Sequence, residues 1–202
     1  MQNYIYGAGG HGKVVLDAMQ VAHIDCVGFV DVKEIAAWMG LNVYQLSALN
    51  LQTEVYLHLA IGNCKTREAL VAGFTQAKFF SVSHPTAIIA KAAQIGAGTF
   101  IAAQSIIAPD AQVGNHCIIN HAAVVDHDCM VGDYTHIAPH SSLGGGVKVG
   151  RGVLIGAGAV VLTGITIANY AVIGAGAVVT KNVAVGMTVI GNPAKPIKQS
   201  VS

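Results

Sequence analysis

The sequence predicts two kinds of structure in one chain: a small α/β domain followed by an all-β domain, a parallel β-helix. From Ile89 to Val179, every sixth residue is isoleucine, valine or leucine without interruption. Before that region, short apolar segments alternate with helical patterns, and the first segment runs into a glycine-rich turn. A period of six fits neither one amphipathic helix nor one long strand, so we expect short strands joined by tight corners.

A β-helix also accounts for the residues between the aliphatic positions. Four residues after each aliphatic residue stands a mostly small side chain, from Ala93 to Ala177, and we expect both to point inwards. Glycine often follows the aliphatic residue directly, as at Gly96 and Gly114, and we expect it to tolerate the bend at the corner. Three six-residue segments then close one coil, and coils stack by strand pairing at roughly 4.8 Å.

The first 84 residues lack this period and predict a Rossmann-like α/β domain. Strands are expected near residues 4–6, 26–30, 55–61 and 79–82, with helices after the first and third of them. We therefore place the domain boundary between residues 84 and 85. Residues 85–202 form the β-helix domain with a C-terminal tail.

The turn after the first strand matches GxGxxG through Gly7, Gly9 and Gly12, and an acid, Asp31, ends the second strand. This pattern is typical of dinucleotide-binding turns. The region has room for only one mononucleotide-binding half, however, and no domain follows that would hold a hydride acceptor. We favour a nucleoside diphosphate bound at the helix N-terminus. An NAD-type site and a purely structural glycine turn are the alternatives.

The composition excludes several classes of protein. Apolar residues make up 53% of the chain and charged residues 10%, so a disordered chain is not expected. The net charge of +1 leaves no basic surface for nucleic acid. The stretch from Gly152 to Thr180 is uncharged and long enough for a membrane span, but its regular short period favours the β-helix.

The cysteines give an expectation about the compartment. None of the four is spaced as CxxC, and the chain does not start with a secretory signal. We therefore expect reduced thiols in a cytoplasmic protein.

Histidines are concentrated in one part of the repeat region. From residue 85 onward they all lie within a short stretch: His116, His121, His127, His136 and His140. None has another at a distance of 18 residues, where side chains of successive coils stack, so we do not expect a metal site. A general base for acyl transfer is the alternative that we favour.

His127 is the best candidate for that base because acids flank it on both sides, at Asp126 and Asp128. A carboxylate bonded to the ring raises its basicity and fixes its tautomer. Neighbouring side chains of a regular strand point to opposite faces, so a His–Asp pair here needs the geometry of a corner. Cys129 belongs to the small, inward series, and we expect it to pack rather than to act as a nucleophile.

Four motifs, in their order along the chain, identify a family. They are YGAGGHG at 6–12, AIGN at 60–63, VVDHDC at 124–129 and GNPAK at 191–195. With the six-residue repeats, the sequence resembles the sialic-acid O-acetyltransferase-like family of hexapeptide-repeat acyltransferases. Its members include bacterial N-acetyltransferases of UDP-4-amino sugars in bacillosamine-type pathways. The resemblance implies a left-handed β-helix, a homotrimer with sites between subunits, and acetyl-CoA as co-substrate without a metal.

The resemblance also implies roles for individual residues. His127 corresponds to the general base that deprotonates the C4 amine of the sugar, Asp128 to a glutamate that makes this histidine more basic, and Gly145 to a glycine whose N–H binds the thioester oxygen. The positions that contact acetyl-CoA correspond to His136, Ala157 and Ala175. The positions that contact the nucleotide correspond to Gly9, Gly10, His11, Asp31 and Gly62.

These features predict an acetyltransferase that acts on a nucleotide-linked amino-dideoxy sugar, a UDP-4-amino sugar first of all. A GDP-4-amino sugar such as GDP-perosamine is an alternative acceptor. An O-acetyltransferase acting on sialic acid or another free sugar is a second alternative, but it leaves the glycine turn unexplained. A non-catalytic or metal-dependent β-helix protein is the third.

Overall fold

The computed structural model describes residues 2–51 and 54–197. Its N-terminal domain contains six strands, two α-helices and a short 3-10 helix. In chain order these are β1 Gln2–Tyr6, α1 Gly10–Val21, β2 Gly28–Val30, β3 Ala37–Trp38, β4 Leu41–Tyr44, the 3-10 helix Leu46–Ala48, β5 Val55–Leu59, α2 Cys64–Gly73 and β6 Lys78–Phe79. The Rossmann-like α/β character of this part is confirmed.

The N-terminal sheet has the order β3-β4-β2-β1-β5-β6 and is parallel except for β3. Tyr6 is paired with both Val30 and Leu59, so three strands end side by side at one edge. The sequence did not predict β3 and β4. They form a hairpin through Met39 and Gly40, which both have positive φ angles of 51° and 79°.

From β7 onward, the described part of the chain is a three-sided prism of short strands. In chain order they are β7 Val82–Ser83, β8 Ile88–Ile89, β9 Gln94–Ile95, β10 Phe100–Ile101, β11 Ile106–Ile107, β12 Gln112–Val113, β13 Ile118–Ile119, β14 Val124–Val125, β15 Met130–Val131, β16 His136–Ile137, β17 Ser142–Leu143, β18 Lys148–Val149, β19 Leu154–Ile155, β20 Val160–Val161, β21 Thr166–Ile167, β22 Val172–Ile173, β23 Val178–Val179, β24 Thr188–Ile190 and β25 Lys195–Pro196.

These strands form three sheets, the faces of the prism. The first face runs from β7 through β10, β13, β16, β19 and β22 to β24 and β25; the second contains every third strand from β8 to β23, and the third every third strand from β9 to β21. We call the corner between the first and second faces corner I, that between the second and third corner II, and that between the third and first corner III.

Strands pair in parallel at a distance of one coil, as Ile119 does with Ile101 and Ile137. The aliphatic positions and the small residues four places later fill the prism, and Ile119 and Ala123 are fully buried. The parallel β-helix of six-residue repeats is confirmed, and its left hand stays a prediction.

The uncharged stretch from Gly152 to Thr180 forms coils of this prism. None of the helices within the described residues has the length and apolar character that a membrane span needs.

The expected role of the corner glycines is wrong. Positive φ angles occur three residues after the aliphatic position, for example at Asp110 (60°) and Asp128 (58°), and not directly after it. The glycines directly after the aliphatic residue are required by space instead. A Cβ at Gly96 would lie 2.5 Å from the carbonyl carbon of Gly114 in the next coil.

The two domains share one apolar cluster, in which Val15 and Met19 of α1 pack with Phe100 and Ile118 of the prism. Strand β7 pairs with β10 and therefore already belongs to the first face. The strand expected at 79–82 is thus divided between the two domains. The boundary at residue 84 stays a prediction.

Candidate active site

His127 and Asp128 form a hydrogen-bonded pair at corner II. The Nδ1 atom of His127 lies 2.7 Å from the Oδ2 atom of Asp128, and both side chains are exposed, by 60% and 67%. The positive φ of Asp128 turns its side chain towards the ring, which a strand would not allow. The backbone N–H of His127 donates to Asp126 at 2.7 Å. The shorter aspartate therefore reaches the histidine.

This pair raises the basicity of His127. The hydrogen bond with Asp128, followed by the negative charge of Asp126, raises the pKa of His127 above its ordinary value. With Nδ1–H donating to Asp128, the Nε2 atom carries the free lone pair. The geometry is that of an imidazole oriented by a carboxylate, a common arrangement for general-base catalysis.

Gly145 lies against this imidazole from the next coil of corner II. A Cβ on Gly145 would lie 2.5 Å from both Cε1 and Nε2 of His127, so a larger residue here would force the imidazole to move. Within residues 2–51 and 54–197, no acceptor is found for the N–H of Gly145. The site therefore places a free backbone donor beside an imidazole with a raised pKa; acyl transfer requires a donor and a base.

Cys129 is fully buried, and its Sγ atom lies 3.2 Å from the carbonyl oxygen of Gly144. Burial raises the pKa of its thiol. A buried, protonated thiol is a poor nucleophile. The structure thus supports a packing role for Cys129.

His136 lies on the first face, where the N-terminal domain packs on the prism. Its Nδ1 atom is 3.3 Å from the carbonyl oxygen of Gly62, and its Nε2 atom is 3.1 Å from Nδ2 of Asn120. Burial lowers the pKa of His136 to about 4. The imidazole is therefore neutral near pH 7 and is held from both sides.

Ala157 and Ala175 stack at corner I, where Gly176 donates its N–H to the carbonyl of Ala157 at 2.8 Å. Corner I and corner II are separated by the second face. Within one chain, the expected acetyl-CoA residues are thus not on the corner that carries His127 and Gly145.

A cavity of about 340 Å³ lies on the first face near corner III. The beginning of α2 forms one wall through Asn63 and Lys65, and Leu154, Val172 and Thr188 form another. The cavity is a recess of the first face beside the N-terminal domain. It lies one coil beyond His136, because Leu154, which lines it, pairs with His136.

The nucleotide residues expected from the sequence meet at one edge of the N-terminal sheet. Gly7, Asp31 and Ala60 follow paired strand ends. The carboxylate of Asp31 accepts the N–H of Ala8 at 2.7 Å, so it fixes the glycine turn.

The same edge is open to a ligand. Nothing lies within 4 Å of a Cβ built on Gly9, Gly10 or Gly62. Helix α1 begins here without a side-chain cap, and its first N–H groups are available to an anion.

His11 is placed differently from the glycines around it. Its ring packs against Phe100 of the prism, with ring centroids 5.2 Å apart, and its Nε2 atom is buried without a hydrogen-bond partner in the described part of the chain. Burial lowers the pKa of His11 to about 3. The side chain of His11 is half-buried in this contact, and a contact of this residue with substrate stays a prediction.

The clustered histidines separate in the folded chain. His116 is buried at corner III, stacked on Tyr134 at 5.5 Å, whereas His127 is exposed at corner II. No group of three His, Cys, Asp or Glu side chains suited to hold a metal ion occurs among the described residues.

The sequence did not reveal two residues of this region. Asn120 forms a hydrogen bond with the ring of His136. The two residues are not separated by one coil, so the spacing of the repeat does not predict this contact. Arg67 is 1% exposed and bonds backbone carbonyls of both domains. The burial of a single arginine on a short, weakly apolar helix cannot be predicted from the sequence pattern.

Comparison with known proteins agrees with the fold. A model described as the PglD N-terminal domain matches residues 3–74, and one for bacterial transferase hexapeptide repeats matches residues 110–145 and 146–181. No curated protein matches the chain in sequence comparison.

Solved structures match the whole chain. A variant of perosamine N-acetyltransferase from Caulobacter crescentus, in complex with CoA and GDP-perosamine, is 33% identical, with 98% of each chain covered and a TM-score of 0.94. The acetyltransferase domain of PglB from Neisseria gonorrhoeae FA1090, in complex with acetyl coenzyme A, is 31% identical, with 97% of this chain and 98% of that chain covered and a TM-score of 0.90. WeeI from Acinetobacter baumannii AYE is 26% identical, with 98% and 100% covered and a TM-score of 0.82.

Fold and site together define an acyltransferase of the hexapeptide-repeat class. The chain belongs to the family of hexapeptide-repeat sugar N-acetyltransferases with a PglD-type N-terminal domain. The resemblance inferred from the four motifs is confirmed, and so is the expectation that the chain is an enzyme.

Proposed function

We propose that this enzyme transfers the acetyl group of acetyl-CoA to the C4 amine of a nucleotide-linked amino-dideoxy sugar, with His127 as general base. The observation that carries the proposal is the His127–Asp128 pair beside the free N–H of Gly145. The complexes of the two most similar relatives described above, with CoA and GDP-perosamine and with acetyl coenzyme A, support both substrates.

The reaction needs no acyl-enzyme. The amine nitrogen attacks the thioester carbonyl while Nε2 of His127 takes a proton from it, and the N–H of Gly145 stabilises the tetrahedral oxyanion. When the C–S bond breaks, the protonated imidazole returns the proton to the CoA thiolate. Asp128 keeps Nδ1 protonated throughout and stabilises the imidazolium that forms.

The open glycine turn favours an acceptor that carries a diphosphate. Gly9 and Gly10 allow a phosphate to approach the uncapped N-terminus of α1, and Gly62 borders the same edge. A free sugar has no diphosphate, so it would not use the N-terminus of α1 at the glycine turn. Of the two nucleotides, UDP is implied by the resemblance to N-acetyltransferases of UDP-4-amino sugars, and GDP is supported by the relative that was crystallised with GDP-perosamine.

We further propose a homotrimer whose sites lie between subunits. The outward residues of the second face are mostly apolar, and Ile88, Ile106 and Val160 are exposed by 63%, 37% and 38%. If three prisms turn this face towards a common axis, corner I of one copy meets corner II of the next. Ala157 and Ala175 of one chain then lie beside His127 of its neighbour.

We also propose a cytoplasmic location. Acetyl-CoA and nucleotide sugars as substrates, and four free cysteines, support it.

The acceptor is tested by incubating the enzyme with acetyl-CoA and, separately, a UDP-4-amino sugar, a GDP-4-amino sugar and free sialic acid, with the products identified by mass spectrometry. We expect an acetyl amide on at least one nucleotide sugar and none on sialic acid. Acetylation of sialic acid alone would replace the proposal with the O-acetyltransferase alternative.

The shared site is tested with mixed oligomers of two inactive variants, His127→Ala and Gly9→Trp, the second of which fills the open turn without a clash at its Cβ. In a random mixture, about a quarter of the sites combine an intact turn with an intact His127 from the next chain. We expect roughly that share of the wild-type rate. No recovery in mixed oligomers would place the glycine turn and His127 of each site on the same chain.

A further inference from the structure

Arg67 is a fully buried cation whose hydrogen-bonding partners are almost all backbone carbonyls. Its Nη1 atom donates to Ile61 at 2.6 Å and to Gly62 at 3.3 Å. Its Nε atom donates to His116 at 2.7 Å, and its Nη2 atom to Tyr134 at 2.6 Å. Among residues 2–51 and 54–197, no carboxylate forms an ion pair with it.

Such an arrangement is costly if stability is its only purpose. A buried guanidinium loses its hydration, and an apolar side chain of similar volume often stabilises a protein as well or better. The planar fork of arginine does offer several donors in fixed directions. One guanidinium here connects the Ile61–Gly62 turn of the N-terminal domain with the His116 and Tyr134 carbonyls at corner III of the prism.

The same turn holds His136. The Oδ1 atom of Asn120 accepts the N–H of His121 at 2.9 Å, so its Nδ2 atom is the one that faces Nε2 of His136. Nε2 is therefore an acceptor, and Nδ1 carries the proton that is donated to the Gly62 carbonyl. Burial keeps this imidazole neutral near pH 7, since the pKa of His136 is lowered to about 4.

Arg67 contacts the acceptor of this hydrogen bond and the peptide that precedes the donor residue. It donates to the Gly62 carbonyl, which is the acceptor of His136, and its Nη2 atom lies 3.4 Å from the carbonyl of Thr135, directly before His136. We propose that Arg67 is a positioning residue for acetyl transfer: it fixes the Gly62 turn against the prism, keeps His136 in the Nδ1–H tautomer, and so sets the distance between the nucleotide side and the acetyl-CoA side of the site. This inference rests on the proposed function, in which Gly62 and His136 contact the two substrates.

The first test needs no substrate and no substitution. ¹⁵N NMR of the imidazole nitrogens in the wild-type protein near pH 7 distinguishes the two neutral tautomers and the imidazolium. We expect a protonated Nδ1 and an unprotonated Nε2 for His136. The opposite tautomer, or a protonated ring, would overturn the proposal, whether or not any variant folds.

The second test compares Arg67→Lys with Arg151→Lys. Lysine at position 67 keeps the positive charge but loses the fork. We expect kcat to fall about 10- to 100-fold, with each KM within about threefold of wild type, because the substrates still bind but are misplaced. The His136 spectrum should show a mixture of tautomers.

Arg151→Lys is the matched control. Arg151 also joins the domains, through Glu68 at 2.7 Å, but contacts neither Gly62 nor His136. We expect its kcat to stay within about twofold of wild type. Equal losses in both variants, or an unchanged kcat and spectrum in Arg67→Lys, would contradict the role of Arg67. Failure of the proposed function is distinguishable, because it would leave all proteins inactive while the His136 spectrum still reported on Arg67.

Discussion

The imidazole of His127 lies against the α-carbon of Gly145 from the neighbouring coil, with room for hydrogen but not for a methyl group between them. The stacking of equivalent corners, one coil apart, brings the two residues together. The placement of the imidazole beside the free N–H of Gly145 is thus a consequence of the six-residue repeat.

Gly145→Ala is expected to lower kcat/KM by about 100-fold, because the new methyl group displaces the imidazole of His127. Steady-state release of CoA measures the change. Gly73→Ala serves as the control, since a Cβ at Gly73 meets nothing within 4 Å at the end of α2. Equal activity of Gly145→Ala and Gly73→Ala would show that the contact between Gly145 and His127 is unimportant.

Asp128→Asn is expected to move the pH dependence of kcat/KM to lower pH. The hydrogen bond to Asp128 raises the pKa of His127, and the base works only when it is deprotonated, so the rate of the native enzyme rises with pH through that raised pKa. Without the carboxylate, the rise should begin at lower pH, and the plateau should fall because a weaker base remains. If the midpoint of the pH dependence of kcat/KM did not change, Asp128 would not be what raises the pKa of His127.

Burial of His58 is expected to make the protein less stable in acid. It is fully buried, with Nδ1 at 3.0 Å from the carbonyl of Phe80, and burial lowers its pKa to about 4. The unfolded chain, with an ordinary histidine pKa of about 6.5, binds the proton more readily between these two values. The free energy of unfolding should therefore decrease as pH falls through this window, by up to about 1.4 kcal/mol per pH unit for this one group.

Urea unfolding across this window measures the slope. His58→Asn keeps a donor for the Phe80 carbonyl but cannot titrate, so its slope should be smaller than that of the wild type. His23→Asn, at an exposed position after α1, should leave the slope unchanged. A His58→Asn protein that loses stability in acid as steeply as the wild type would contradict this assignment.

The prism was predictable from sequence because its determinants are local and repeated. One aliphatic residue in every six, such as Ile119, and one small residue four places later, such as Ala123, fix the register of every coil. The space requirement at Gly96 was not predictable, because it depends on backbone atoms of the next coil.

The candidate site was predictable only in part. Flanking acids drew attention to His127, and the glycine turn to the edge at Gly9, because both signals lie within a few residues of sequence. The contacts of Arg67 and Asn120, and the contact of the His11 ring with Phe100, depend on how the two domains pack, and no local pattern encodes that packing.

The role of His127 is the central claim, and the rate of acetyl transfer by His127→Ala tests it most directly. Wild type, His127→Ala and the exposed-site control His23→Ala would be compared at saturating acetyl-CoA and the nucleotide-linked 4-amino sugar that the substrate panel identifies. We expect kcat of His127→Ala to fall by about 10² to 10⁴, as for the loss of a general base, while His23→Ala keeps the wild-type rate. A His127→Ala enzyme that transfers acetyl at the wild-type rate would contradict the account.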